Sequence, residues 1–157
     1  MADDAKERTK EQVKERTEKL RKDKWIEASM MIEAIAIAKD VVEASLREHV
    51  EKLGSVRDAY VFEKTFHEAL EVEKPLKNIE KAYSQIVEVK FFARNVYSLL
   101  TIIILYGPSS IEILNPHNVT TPIDELQQIS NATADLIHQF AAAGAGGIVL
   151  SQRQEKK

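Results

Sequence analysis

The sequence predicts an all-α protein: an antiparallel bundle of about four long helices with a protruding, highly charged N-terminal helical arm. Three observations carry this. Neither glycine nor proline occurs from Met1 to Leu53. The whole chain of 157 residues holds only five glycines and four prolines, so turns are few and elements long. Apolar residues recur at three- and four-residue spacing over most of the length, the period of a helix with one buried stripe.

The first helix has two characters. A continuous helix over Met1–Leu53 would be ~75 Å long, against a diameter of roughly 40 Å for a compact chain of this size, so its start must project or join an assembly. Between residues 5 and 24 the only sizeable aliphatics are Val13 and Leu20, and the phrase KERT occurs twice, at 6–9 and 14–17. Pairs such as Glu11 with Lys14, Glu15 with Lys19 and Glu18 with Lys22 each support a helix by ~0.2–0.5 kcal/mol. From Trp25 the pattern changes. Ile26, Met30, Met31, Ile32, Ile35, Ile37, Val41, Val42, Leu46, Val50 and Leu53 form a broad stripe, apolar nearly all round over 26–38, as for a helix surrounded by others. Gly54 supplies the stop.

Ser55 and Asp58 then open a second helix as a capping-box-like pair, running to about Glu73 with Val56, Ala59, Tyr60, Phe62, Phe66, Ala69 and Leu70 inward. Pro75 suits the first turn of a third helix, Leu76–Tyr106, striped by Leu76, Ile79, Ala82, Tyr83, Ile86 and Val87. Its last part, LLTIIILY, also suits a strand. With no second strand-like segment to pair with, it is assigned to the helix. Residues 107–121 form the one long connection, with a helical turn at Ser110–Leu114. Thr121, Pro122 and Asp124 start the fourth helix, in which Leu126, Ile129, Thr133, Leu136, Phe140 and Ala143 are spaced 3-4-3-4-3, as in antiparallel helix packing. The resulting division is an arm over 1–24, a bundle over 25–143, and a Gly/Ala-rich end with a basic tail over 144–157.

Composition bounds the function. Hydrophobic residues make up 44% and charged ones 30%, ordinary for a globular domain. The absence of cysteine excludes disulfides, thiol catalysis and thiolate metal sites, and the Lys-, Glu- and Ile-rich usage is thermophile-like. The net charge of −3 is uneven: residues 1–24 carry nine basic and seven acidic side chains (+2), residues 151–157 another +2, and the remainder therefore −7. Basic ends on an acidic body attract polyanions or the bodies of neighbouring copies. The start MADDAKERTK has no apolar signal stretch, and the longest apolar run, Val96–Tyr106, is too short for a bilayer. The expectation is a cytoplasmic protein or soluble assembly without a transmembrane segment, and the sequons at Asn118 and Asn131 are read as chance.

Reaction chemistry is thinly represented. Glu63 with His67, and Asp135 with His138, have the spacing of half a carboxylate–histidine motif, and Glu33 and Asp40 are the further carboxylates a di-iron bundle would need. No HExxH motif, Walker loop, dinucleotide fingerprint or nucleophile elbow occurs. The glycines at 144, 146 and 147 follow a helix rather than a strand and lack the Lys-Ser/Thr of a phosphate loop. Arg94-Asn95 resembles the Arg-Asn start of the Arg-x(4–6)-His motif of HEPN-type helical-bundle ribonucleases. Ser98, Leu99 and Leu100 stand where the histidine belongs, so the resemblance implies a catalytically dead binder. No catalytic residue, cofactor, metal or small-molecule substrate is assigned.

The expected function is therefore non-enzymatic: a structural protein that self-associates through helices into a homo-oligomer or filament. The alternatives are a capsid-like coat subunit that wraps nucleic acid with its basic arm and tail, and, third, a helical-bundle metal protein or HEPN-like binder. The candidate interaction surface is Lys6, Arg8, Lys10, Val13, Lys14, Arg16, Lys19, Leu20, Trp25, Arg94, Phe140 and Arg153. No aromatic residue precedes Trp25, so the arm alone offers nothing for base stacking.

Overall fold

A computed structural model describes residues 8–144. In chain order the elements are α1 (Lys10–Lys22), β1 (Ile26–Ala36), α2 (Lys39–Gly54), β2 (Ala59–Phe66), β3 (Leu70–Leu76), β4 (Ile79–Ala93), α3 (Val96–Tyr106), β5 (Ser110–Asn115) and α4 (Ile123–Ala142). The all-α expectation is overturned: five strands form one antiparallel sheet. The strand order is β2-β4-β1-β5, with β3 also pairing β4. The long strand β4 is shared end to end, its residues 87–93 facing β2 and its residues 79–84 facing β3. β1 and β2 are joined through α2 yet separated by β4, which is the split β-α-β arrangement of ferredoxin-like folds.

The segment expected to be an encircled helix, 26–36, is the inner strand β1, flanked by β4 and β5. Its side chains alternate. Ile26, Ala28, Met30 and Ile32 are at most 3% exposed and point to one face, while Glu27, Ser29, Met31 and Glu33 point to the other. The same face of β4 contributes Val87, Val89, Phe91 and Ala93, and β2 adds Val61. Two helices cover it. In α2, Val42, Leu46, Val50 and Leu53 lie on one stripe and are fully buried; α3 contributes Leu99 and Ile102.

The second and third expected helices dissolve into β2, β3 and β4. β3 and β4 meet in a tight hairpin, Leu76 facing Ile79 across Lys77 and Asn78, the two-residue connection that antiparallel strands favour. LLTIIILY is helical as read, but in the short helix α3. Asn95 caps it, its side chain accepting from the Ser98 N–H at 2.8 Å, and Gly107 ends it in the left-handed region at φ 52°, a conformation glycine adopts without strain. The expected helical turn at 110–114 is instead the edge strand β5.

The first helix is also shorter than expected and does not project. Only Lys10–Lys22 are helical, about 20 Å at 1.5 Å per residue. Thr9 caps it in a reciprocal box with Gln12. The helix lies over one end of the sheet face opposite α2 and α3. There Leu20 is 1% exposed, and Phe92, which points away from the main core, is fully buried. The chain divides at Thr120/Thr121 into two compact units, and α4 belongs to the second.

Candidate functional site

Where α1 meets the sheet, a carboxylate sits inside the fold. Glu27 is the first outward-facing residue of β1, opposite Phe92 on β4 and Asn115 on β5. Being 5% exposed, it needs partners. Arg21 of α1 grips it with two parallel bonds, Nε to Oε2 at 3.0 Å and Nη2 to Oε1 at 2.9 Å. Asn115 Nδ2 donates to Oε2 at 3.0 Å. The hydrogen bonds from Arg21 hold the Glu27 carboxyl below its ordinary value against the opposing push of burial, with Asn115 lowering it further. The fork ties α1, β1 and β5 together. With every oxygen engaged it is a structural lock, not a poised acid or base.

The two partners are unequal. The Arg21 side chain is 47% exposed and that of Glu27 6%. Removing Glu27 frees a guanidinium to water, whereas removing Arg21 leaves a buried carboxylate with Asn115 alone. Arg21→Ala is therefore expected to cost about 2 kcal/mol and Glu27→Ala about 1 kcal/mol, read from thermal melts, and the double variant less than the sum. The pH dependence has a fixed sign. A carboxyl whose folded value lies below 4.5 contributes stability at neutral pH that is lost as pH falls from about 4.5 through the folded value. Glu27→Gln should lose less stability than the wild type on acidification through that range; parallel acid curves would refute the lock.

Beside it the outer face of α1 forms a shallow groove of about 460 Å³ with Tyr60 of β2, lined by Arg8, Gln12, Glu15, Arg16, Lys19 and Tyr60. The Arg8 guanidinium lies 4.8 Å and that of Arg16 5.8 Å from the Tyr60 ring centre, within cation–π range. Arg8 also donates to the Val61 carbonyl at 3.4 Å. The structure thus brings together three of the candidate surface residues, Arg8, Arg16 and Lys19. It adds an aromatic partner from 41 residues beyond Lys19, which no local pattern in the arm could announce.

The other candidates are dispersed. Lys10 and Lys14 are exposed on α1, Val13 is half-buried, and Leu20 is buried. Trp25 is half-buried at the entry to β1. Lys6 and Arg153 lie outside the described residues. Arg94 is not inside a helix: it lies between β4 and α3, 3.5 Å from Asp58, and Asn95 is occupied as a helix cap. The helical-bundle setting of the HEPN-like resemblance is absent. The residues with di-iron spacing are spread over four elements: Glu33 on β1 accepting from Ser84 at 2.6 Å, Asp40 in the first turn of α2, Glu63 on β2 paired with Lys90 at 3.2 Å and His67 just beyond that strand, and Asp135 and His138 on α4. Among the described residues no cluster of three or more His, Asp or Glu could hold a metal ion, and no helix is long and apolar enough to cross a membrane.

The remaining feature is α4. Its first turn carries Asp124 and Glu125 and its last turn no basic residue. Phe140, a sequence candidate, is 51% exposed, Leu126 49%, Ile137 50% and Ile123 80%; Ile129 and Leu136 are half-buried. An apolar stripe therefore runs along the helix largely open to water.

No curated protein matches the chain. The sequence model of the MJ0538 family matches residues 27–155, starting at the locked Glu27 and running through the whole sheet, both core helices and α4, while leaving α1 outside. With more than four-fifths of its length in that match, the chain belongs to the MJ0538 family.

Proposed function

We propose that the protein is a non-enzymatic association module that pairs with a second copy of itself through α4. The open apolar stripe supports this reading. A 20-residue helix without a single Lys or Arg has no i,i+4 ion pairs to hold it. In water most helical stability comes from packing an amphipathic face, so a stripe with Leu126, Ile137 and Phe140 about half exposed calls for a partner surface. The family match retains α4 and omits α1, which favours α4 over the basic helix as the shared working part.

An antiparallel pair is the arrangement the residues suit. A twofold axis at Thr133 sets Leu126 against Phe140 and Ile129 against Ile137, each pair repeated by symmetry as an isologous interface requires, while Leu136 faces the small Ser130. It also keeps the acidic first turns of the two helices, with Asp124 and Glu125, at opposite ends. Completing the burial of five half-exposed side chains on each copy recovers roughly 10 kcal/mol. That is offset by about 4–15 kcal/mol for association, which places the dimer in a reversible range. Light scattering tests the reading: a concentration-dependent mass rising toward twice 17.8 kDa is expected, and a fixed mass of one chain up to high concentration would refute it.

A further inference from the structure

We propose that the groove between α1 and Tyr60 binds single-stranded nucleic acid through its phosphates. The inference is independent of α4 pairing. Residues 8–24 carry eight basic and four acidic side chains, a local net of +4 on a chain whose total is −3. More telling than the count is the state of the groove cations. Among the described residues Arg8, Arg16 and Lys19 form no ion pair, a state they share with Lys10 and Lys14 of the same segment; what sets them apart is that they converge on one groove, with Arg8 and Arg16 against the same ring. Gln12 is spent on the helix cap, leaving Glu15 as the one acid lining the groove.

The Tyr60 ring holds the two guanidiniums in place without neutralising them. A guanidinium against an aromatic face keeps its edge available: Arg8 spends Nη1 on the Val61 carbonyl and retains its other N–H groups, and the planar fork fits phosphate oxygens. Holding it beforehand lowers the ordering cost of binding. Arg16 and Lys19 stand three residues apart on one side of α1, and Arg8, just before the Thr9 cap, reaches the same groove against the Tyr60 ring, so the three cations line it in one row. A single row matches the one backbone of a single strand. A duplex presents two backbones separated by a groove of about 6 or 12 Å, for which α1 offers no second row.

Fluorescence anisotropy with a labelled single-stranded oligonucleotide of about 20 nucleotides tests this on the full chain. Binding is expected at about 50 mM salt, with log K falling by about 2 per decade of salt, the slope for three phosphate contacts on a single strand. Replacing Arg8, Arg16 and Lys19 together by Ala should weaken it by on the order of tenfold or more, with helix content unchanged because alanine is the best helix former. Lys52→Ala, on α2 across the sheet from the groove, should leave affinity unaltered. Absence of salt-sensitive binding, equal affinity of the triple variant, preference for duplex, or displacement by inorganic phosphate at matched phosphate concentration would each overturn the proposal, the last by showing a free-phosphate site.

Discussion

Deleting residues 1–24 should lower the melting temperature by roughly 15 °C. The size follows from what α1 covers. Leu20 is 1% exposed, and its loss forfeits about 2 kcal/mol of burial. Without Arg21, Glu27 stays buried beside Asn115 alone at a cost of about 2 kcal/mol. Phe92 would also meet water on the face α1 now shields, so the total of about 4 kcal/mol is a lower figure. Against a typical domain stability of 5–15 kcal/mol that is a large share. Read from sequence alone, the same residues are a solvated rod whose removal leaves the body intact. Differential scanning calorimetry decides between the two: a truncated chain melting together with the full-length one restores the protruding arm.

The error has a physical source in particular residues. Over 26–33 the order Ile-Glu-Ala-Ser-Met-Met-Ile-Glu alternates as a strand should, but Met31 and Ile35 on the outer face fill the gaps and make the run look apolar all round. Alanine and methionine, good helix formers, blur it further, and a buried strand cannot be told from a buried helix by periodicity alone. In β4 the alternation of Ile86, Val87, Glu88, Val89, Lys90 and Phe91 was legible, with β-branched and aromatic residues favouring strand. The missing cue was a hairpin turn, because Lys77-Asn78 lacks the glycine that usually advertises one. Once β4 is a strand, β1, β2 and β3 have a partner, and the objection that no second strand exists disappears.

Helices with their own end signals were readable. α2 stops at Gly54, α3 ends before Gly107, and α4 starts behind Pro122, each marked in the local sequence; the start of α3 at Asn95 is missed because the sequence reading runs one helix through it from Leu76. The groove was half readable. The basic residues of α1 were evident, but Tyr60 reaches them only through the β2–β4 pairing that sets it opposite Phe92. Glu27 gave a single signal, a carboxylate in an apolar run that it shares with Glu33. Its partners come from both sides, Arg21 six residues earlier and Asn115 eighty-eight later, and only the folded sheet assembles them.

The proposed α4 pair makes a prediction that depends on direction as well as existence. With the axis at Thr133, Leu126 of one copy faces Phe140 of the other, and symmetry repeats the contact. Substituting both residues by Glu in one chain, Leu126→Glu with Phe140→Glu, removes four half-buried side chains per dimer, about 4 kcal/mol. That is close to a thousandfold in the dissociation constant, and like charges are then set against each other at both ends. Changing the same positions to Leu126→Lys with Phe140→Glu keeps the loss of apolar area but sets opposite charges face to face, so dimerisation should recover part of the loss. A parallel pair gives no such recovery, because it places lysine against lysine and glutamate against glutamate, two like-charge contacts just as in the Glu/Glu variant. Sedimentation equilibrium of the two double variants at low salt, where exposed charges are least screened, therefore distinguishes three cases. Recovery by the Lys/Glu variant supports the antiparallel register. Equal association of wild type and both variants removes α4 from the interface. Association of the Lys/Glu variant no tighter than that of the Glu/Glu variant, with both weaker than wild type, contradicts the twofold axis at Thr133.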